Sequence, residues 1–184
     1  MIYIIAGISK SGKSYLSKLI AEKYHLGFFS TDYLMMSLAR GNKSLGINPN
    51  SSDITVSNQL KPYLEAMVLT MIENKIDYVI EGVHFQPDFA QALIMKYPGK
   101  IKLVFLGYHT AKIEDKVNEL QKFGPKTDNY WYSSMSKDDV ISLVIYLVNE
   151  SKKLYAECNK YNLPYVEVHD ITTQAPQIID LLFL

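Results

Sequence analysis

A short apolar run is followed at once by a glycine-rich loop near the start of the chain, and this pairing constrains the fold more than any other feature. The run covers residues 2–6, and the loop from Gly7 to Ser14 has the pattern GxxxxGKS. Glycine at Gly7 and Gly12 permits a close approach that a Cβ would obstruct, so successive N–H groups can turn inward around a phosphate. The pattern predicts a strand, a phosphate-binding loop and a helix, in that order.

The other residues of the loop add the chemistry of a nucleotide site. The Lys13 ammonium supplies a mobile positive charge, and the Ser14 hydroxyl can bind Mg²⁺. The helix predicted over residues 13–24 directs the positive end of its dipole at the same anion. We therefore expect the whole loop to hold the nucleotide, through Gly7, Ile8, Ser9, Lys10, Ser11, Gly12, Lys13 and Ser14.

Composition excludes several classes of protein. The 184 residues suit one domain with a sizeable core. The 19 Lys and Arg residues balance 19 Asp and Glu residues, so no basic field indicates nucleic acid. The single cysteine, Cys158, excludes an intrachain disulfide and suits a reducing compartment. Because the N-terminal apolar run is too short for a secretory or membrane segment, we expect a cytoplasmic protein that binds no membrane.

Short β-rich runs alternate with longer helical segments, as in parallel α/β proteins. The runs around Val79 and Val104 are apolar on both faces, as strands covered by helices on each side must be. Predicted strands cover residues 2–6, 27–30, 77–81, 101–107 and 164–168. Predicted helices cover residues 13–24, 33–40, 57–73, 87–96, 111–122, 138–161 and 174–182. Residues 41–53 and 123–136 are predicted to be irregular.

A second motif, Ser30-Thr31-Asp32, ends the second predicted strand. Ligands of open α/β sheets bind at the carboxyl ends of the strands, so we expect Asp32 beside the phosphate-binding loop. There its carboxylate can accept a proton from an acceptor hydroxyl or hold water on Mg²⁺. The alternative is that Asp32 only caps the helix predicted to follow it.

A third motif, Glu81-Gly82-Val83-His84, follows an apolar strand. An acid at the end of such a strand is typical of the element that supports Mg²⁺ in phosphate-loop enzymes. Glu81 is one bond longer than the usual Asp, so it acts through water or contacts the acceptor instead. Gly82 permits close backbone approach, and His84 either donates to an acidic group of the substrate or is structural. The catalytic candidates are Lys13, Asp32 and Glu81, and the metal candidates are Ser14, Asp32 and Glu81.

Three segments, GISKSGKS, FFSTDYLMMSLAR and YVIEGVH, together resemble the small P-loop kinases, and more closely the 2-phosphoglycerate kinase and zeta-toxin-like group. The C-terminal part, residues 129–168, is also similar to 2-phosphoglycerate kinases. The resemblance implies a three-layer α/β fold with a five-stranded parallel sheet of order 2-3-1-4-5 and helices on both faces. It also implies ATP, Mg²⁺, a lid around residues 111–136, and adenine near residues 169–172.

The lid departs from the pattern of this group. Such kinases stabilise the transferring phosphoryl group with lid arginines, whereas Arg40 is the only arginine of the chain and precedes the lid. Lys116, Lys122 and Lys126 can supply charge, but they lack the planar bidentate fork of arginine. The residues that we expect to contact the acceptor are Asp32, Arg40, Glu81, Gly82, His84, Lys122 and Lys126.

Together these features indicate an ATP-dependent kinase that transfers the γ-phosphate to a hydroxyl or phosphate of a small metabolite, such as a phosphorylated acid or a nucleotide sugar. Lys13 and Mg²⁺ would stabilise developing charge, and Asp32 would orient or deprotonate the acceptor. One alternative is a regulatory nucleotide-binding switch without a metabolite acceptor. Another is a nucleoside monophosphate kinase, against which the missing lid arginines count.

Overall fold

A computed structural model of the chain describes residues 1–126 and 130–183. Strands and helices alternate along these residues, as the sequence predicts. The strands are β1 Ile2–Gly7, β2 Gly27–Ser30, β3 Tyr78–Gly82, β4 Ile101–Gly107 and β5 Tyr165–Glu167. The α-helices are α1 Lys13–Tyr24, α2 Thr31–Gly41, α3 Asp53–Glu73, α4 Pro87–Lys96, α5 Ile113–Phe123, α6 Lys137–Lys160 and α7 Ile171–Phe183. Short 3₁₀ turns lie at Lys43–Leu45 and Gly124–Lys126.

In the described part of the chain, five strands form one parallel sheet in the order β2-β3-β1-β4-β5. The central strand β1 pairs with β3, where Ile5 lies opposite Glu81, and with β4, where Gly7 lies opposite Leu106. These registers bring the carboxyl ends of three strands to one edge of the sheet. The predicted α/β class and strand order are confirmed.

Helices cover both faces of this sheet, and the apolar side chains on both sides of β1 are therefore buried. Ile4 contributes to a core that includes Leu60 of α3 and Leu93 of α4. Ile5 contributes to the opposite core, built with α1 and α7 and including Leu16. A strand buried on both faces needs apolar residues at every position, which explains the continuous apolar run in its sequence.

A third apolar cluster joins α5 to the first half of α6. Tyr132 is only 3% exposed there, and its hydroxyl donates to the Leu120 carbonyl at 3.2 Å. The neighbouring Trp131 is 48% exposed. Residues 127–129, including Asp128 of the predicted lid, lie outside the described residues. The segment that leads into α6 therefore anchors one aromatic side chain and exposes another.

Helix α3 begins four residues earlier than predicted because polar side chains start it. The Ser52 hydroxyl accepts a hydrogen bond from the Thr55 N–H at 3.3 Å, so the helix begins at Asp53 rather than Ser57. Helix α7 likewise begins with a polar first turn, which hid its start at Ile171 from the apolar periodicity. Apolar spacing detects the buried body of a helix but not a polar first turn.

Within residues 1–126 and 130–183, no helix combines the length and apolar character needed to cross a membrane. The longest helix, α6, has 24 residues, but one face of it is charged and exposed. Its N-terminus carries a reciprocal cap. Ser136 Oγ accepts from the Asp139 N–H at 3.2 Å, and Asp139 Oδ2 accepts from the Ser136 N–H at 3.3 Å.

We expect Ser136→Ala to lower the free energy of unfolding by about 1 kcal/mol, because it removes the oxygen that caps α6. Urea unfolding followed by circular dichroism measures this change. Ser134→Ala, at an exposed position just before the cap, is the matched control and should leave the midpoint unchanged. Equal midpoints for the two variants would contradict a stabilising cap at this helix.

Candidate active site

The glycine-rich loop is held against the end of β4 at the centre of the sheet. Gly7 has φ +130°, and a Cβ built there would lie 2.0 Å from the Leu106 carbonyl oxygen. The Ile8 N–H donates to that same oxygen at 3.0 Å. Gly12, with φ +87°, makes the turn into α1. Only glycine fits at position 7, so this contact sets where the loop lies.

Lys13 crosses the loop and carries its charge. Its Nζ donates to the Ile8 carbonyl at 2.6 Å, and the side chain is almost fully buried. Burial lowers the pKa of Lys13, whereas the carboxylates of Glu81 and Asp32 act in the opposite direction. The N–H and the carbonyl of Ile8 are therefore both hydrogen-bonded. The ammonium of Lys13 lies at the loop, where it could bind an anion held there.

The loop offers polar groups that fit a triphosphate. Ser11 Oγ is buried and finds no hydrogen-bond partner among the described residues. A buried hydroxyl without a partner is costly, and a phosphate oxygen held in the loop would satisfy it. Ser9, Lys10 and Ser11 all lie in the turn between β1 and α1, so the predicted nucleotide residues form one continuous loop.

Ser14 and Glu81 form the pair that fits Mg²⁺. The Ser14 hydroxyl donates to Glu81 Oε1 at 3.0 Å, and Glu81 is buried at the end of β3. Within residues 1–126 and 130–183, no three His, Cys, Asp or Glu side chains gather as a metal cluster. This donor set suits Mg²⁺, which usually takes one or two protein oxygens and completes its shell with water and phosphate oxygens.

Asp32 lies in the first turn of α2 and is not its cap. The helix begins at Thr31, the capping position falls on Ser30, and the Ser30 side chain makes no capping hydrogen bond. The alternative that Asp32 serves only as a cap is therefore wrong. Its side chain is 50% exposed and lies 4.0 Å from His84 Nδ1. The carboxylate is thus half-exposed, and its charge acts on Lys10 and Lys13 of the loop.

His84 is a buried and neutral group that holds the start of α2. Its Nδ1 lies 2.7 Å from Thr31 Oγ1, and the side chain is only 2% exposed. Burial, and then the charge of Lys13, lowers the pKa of His84 to about 4. Gly82 allows this arrangement, because a Cβ there would lie 1.7 Å from Thr31 Oγ1. These contacts favour the structural alternative for His84 and a packing role for Gly82.

The predicted cationic contacts do not gather in one place. Arg40 is exposed in the last turn of α2, eight residues beyond Asp32, which corresponds to about 12 Å along the helix. Lys122 is exposed at the end of α5, with Nζ 5.1 Å from the centre of the Phe123 ring. The side chain of Lys126 lies outside the described residues.

Lys116, on helix α5, reaches the loop. Its Nζ donates to the Lys10 carbonyl at 3.2 Å and to Glu119 at 2.8 Å, and it lies 4.0 Å from the centre of the Tyr108 ring. Burial lowers the pKa of Lys116. The Tyr108 hydroxyl donates to the Ser9 carbonyl at 2.6 Å. The end of β4 and helix α5 thus support the loop from the side opposite Asp32.

A cleft of about 400 Å³ opens beside the loop, and sequence reasoning missed most of its walls. Its acidic member is Asp53, at the start of α3. Desolvation by surrounding protein atoms raises the pKa of Asp53. The positive charge of Lys13 lowers this pKa, whereas the negative charges of Asp32 and Glu150 raise it further. The Ser52 cap could have identified this position. The lining residues are Ser9, Asn50, Ser51, Ser52, Asp53, Trp131, Leu143, Tyr146 and Leu147.

Comparison with known proteins shows the fold of this chain. No protein-family model matches it, and no curated protein matches it in sequence. A shikimate kinase from Bacteroides thetaiotaomicron superposes with a TM-score of 0.58 at 17% identity, covering 100% of this chain and 99% of its own. An uncharacterized protein from Eubacterium ventriosum gives 0.57 at 14% identity, covering 99% and 97%.

A shikimate kinase from Acinetobacter baumannii, solved in complex with shikimate, gives a TM-score of 0.54 at 12% identity, covering 98% of this chain and 91% of its own. The sheet order and the loop after β1 agree with these similarities. The chain therefore has the fold of the small P-loop kinases.

The buried histidine generates a prediction about stability and pH. Because the pKa of His84 falls from 6.5 to about 4 on folding, its contribution to the free energy of unfolding depends on pH. This contribution is complete above pH 6.5 and is lost as the pH falls toward 4. Between pH 7 and pH 5 this loss corresponds to about 2 kcal/mol. Urea unfolding at both pH values should show that His84→Gln removes this part of the pH dependence. The exposed His169→Gln is the control, and identical slopes for wild type and His84→Gln would contradict the assignment.

Proposed function

We propose that the protein is an ATP-dependent kinase that transfers the γ-phosphate to a hydroxyl of a small metabolite. One observation carries the proposal: the charge of Lys13, the Ser14–Glu81 pair and the exposed carboxylate of Asp32 meet at one edge of the sheet, next to a cleft. Phosphoryl transfer depends on positioning and on electrostatic stabilisation, and this edge offers groups for both.

The residues of the loop would hold MgATP. Backbone N–H groups of the loop and the Ser11 hydroxyl would bind phosphate oxygens, and Lys13 would exchange the Ile8 carbonyl for one of them. Ser14 would bind Mg²⁺ directly, with Glu81 acting through water. When bound, MgATP supplies the phosphoryl group and part of the charge that stabilises its transfer.

The two carboxylates have surroundings that suit different roles. Glu81 is buried and accepts a hydrogen bond from Ser14, so it is committed to the metal side of the site. Asp32 is half-exposed in the first turn of α2, where an acceptor could reach it. We assign Asp32 as the group that orients the acceptor hydroxyl and accepts its proton.

In the proposed step, the phosphoryl group passes directly from ATP to the acceptor hydroxyl. The acceptor oxygen forms a bond to the γ-phosphorus while the bond from that phosphorus to the ADP oxygen breaks. The hydroxyl proton passes to Asp32, and ADP leaves with the electron pair of the broken bond. Lys13 stabilises the charge that develops on the transferring group, and its burial strengthens that interaction.

The segment around residues 111–136 is proposed as the lid of this site. Support comes from Trp131, which lines the cleft, and from Lys116, which ties α5 to the loop. Lys10 Nζ lies 5.6 Å from the centre of the Trp131 ring, so the segment and the loop meet directly. A lid in this place would exclude water from the reacting phosphoryl group.

The same geometry bears on the alternative functions. A regulatory switch needs no acceptor site, whereas the cleft beside the loop could serve as one. A nucleoside monophosphate kinase must bind a second phosphate, and Arg40 lies about 12 Å along α2 from Asp32. Resemblance to the 2-phosphoglycerate kinase and zeta-toxin-like group supports phosphorylated acids and nucleotide sugars as acceptors to be tested.

We expect Lys13→Ala to reduce ATP-dependent phosphoryl transfer by roughly 10²-fold or more while the protein stays folded, because it removes charged hydrogen bonds to phosphate. Turnover is measured as ADP release in a mixture of small hydroxylated and phosphorylated metabolites. Binding of MgATP is followed through the fluorescence of Trp131, the only tryptophan. Lys18→Ala, at an exposed position of α1, is the control. Wild-type turnover by a folded Lys13→Ala protein would remove the kinase proposal.

We expect Asp32→Asn to reduce turnover about 10²–10⁴-fold, the usual contribution of a positioned base, and to change the affinity for MgATP little. The amide keeps the size of the side chain but cannot accept the proton. Asp180→Asn, at an exposed position of α7, is the matched control. Normal turnover in Asp32→Asn would transfer the role of the base to Glu81, which Glu81→Gln would then test.

A further inference from the structure

We propose that the phosphoryl acceptor is an uncharged, polyhydroxylated molecule of carbohydrate type that binds in the cleft beside the loop. The inference rests on the kinase activity proposed above and adds the chemical class of the acceptor. It follows from three properties of the cleft: its size, the pairing of polar and aromatic walls, and the sign of its charge.

The cleft has the size and the polar wall that such a molecule needs. Its volume of about 400 Å³ lies within the range of small-molecule sites. One wall is the segment that leads into α3, with the amide of Asn50, the hydroxyls of Ser51 and Ser52, and the carboxylate of Asp53. These groups both donate and accept hydrogen bonds, as the hydroxyl groups of a sugar do.

A second wall of the cleft is aromatic and apolar. Trp131 and Tyr146 are each 48% exposed and line the cleft together with Leu143 and Leu147. Aromatic rings offer broad apolar faces with little conformational freedom to lose. A sugar ring has C–H faces and a polar rim, so it can contact this wall with one side and the residues before α3 with the other.

The charge of the cleft disfavours an acidic acceptor. Among its described lining residues there is no Lys, Arg or His, whereas Asp53 is acidic. The positive charge of Lys13 acts most strongly on the Asp53 carboxyl, and the negative charges of Asp32 and Glu150 act on it in the opposite direction. Two loop lysines lie nearby, Lys10 next to Trp131 and Lys13 beneath the loop.

Bound nucleotide would increase the preference for an uncharged acceptor. The phosphates of ATP would take the charge of the loop lysines and would add negative charge of their own. A carboxylate or phosphate on the acceptor would then face Asp53 without a compensating cation, and like charges at this range repel. The chain's one arginine, which could grip such a group in a bidentate manner, lies at the far end of α2.

The test uses the purified full chain, MgATP and acceptors in matched pairs. Each pair joins a neutral sugar or polyol to a related acid. The five pairs are glucose with gluconate, glucose with glucuronate, galactose with galacturonate, glycerol with glycerate, and glycerol with 2-phosphoglycerate. Product formation is followed by mass spectrometry, and kcat/KM is compared within each pair. We expect the best acceptor to be neutral and its acid to react at least tenfold more slowly. An acid that reacts as well as its neutral partner overturns the inference.

Failure of the acceptor class and failure of the kinase proposal give different results. A protein whose Trp131 fluorescence responds to MgATP, but which phosphorylates no neutral member of the panel, overturns the acceptor class and leaves kinase activity to be sought with acidic acceptors. A protein that neither binds MgATP nor releases ADP with any acceptor overturns both.

The Asp53→Asn variant tests separately whether charge excludes acidic acceptors. Asp53→Asn keeps the shape of the wall and removes its charge, so the preference for the neutral member of a pair should fall at least threefold. The KM for ATP should change less than twofold. Asp180→Asn is the control for loss of one surface charge. An unchanged preference in Asp53→Asn would overturn the role of charge in excluding acids.

Discussion

The contact between Gly7 and the Leu106 carbonyl is the constraint on which the site depends. It brings the end of β1 so close to β4 that no side chain fits between them, and the Ile8 N–H then binds the same carbonyl. The loop therefore leaves the sheet at a fixed point, and Lys13 closes it from the other side. Placing a flexible loop on a rigid central strand preorganises it, so little free energy is lost when an anion binds.

The neighbouring strands complete the site through the same parallel register. Because β3 pairs beside β1, Glu81 comes within hydrogen-bond distance of Ser14. Because β2 pairs beside β3, Thr31 reaches His84, and Asp32 is carried to the same edge. The three motifs are far apart in sequence, yet the sheet brings them together. This explains why ligands of such folds bind at the carboxyl ends of their strands.

The distribution of charge separates two halves of the site. On the proposed nucleotide side, the buried Lys13 and Lys116 each donate to a carbonyl of the loop. On the proposed acceptor side, Asp53 lines a cleft with aromatic residues, and the charge of Asp32 acts on the Asp53 carboxyl. A lysine in place of an arginine supplies charge without bidentate geometry, which suits support of a loop better than recognition of an acidic acceptor. We therefore expect Asp53 and Trp131 to determine which class of acceptor binds.

The sequence by itself determined the local features of this protein: the glycine loop, the strand before it, the helix after it, and the acids near the ends of β2 and β3. Each depends on residues adjacent in the chain, where turn chemistry and apolar periodicity act directly. Only the tertiary structure decided which polar side chains share the site. Lys116 rather than Lys122 reaches the loop, and Asp53 lines the cleft, because packing of α5 against α6 and of α3 against the sheet sets those distances. Such contacts join residues far apart in sequence, and no local pattern records them.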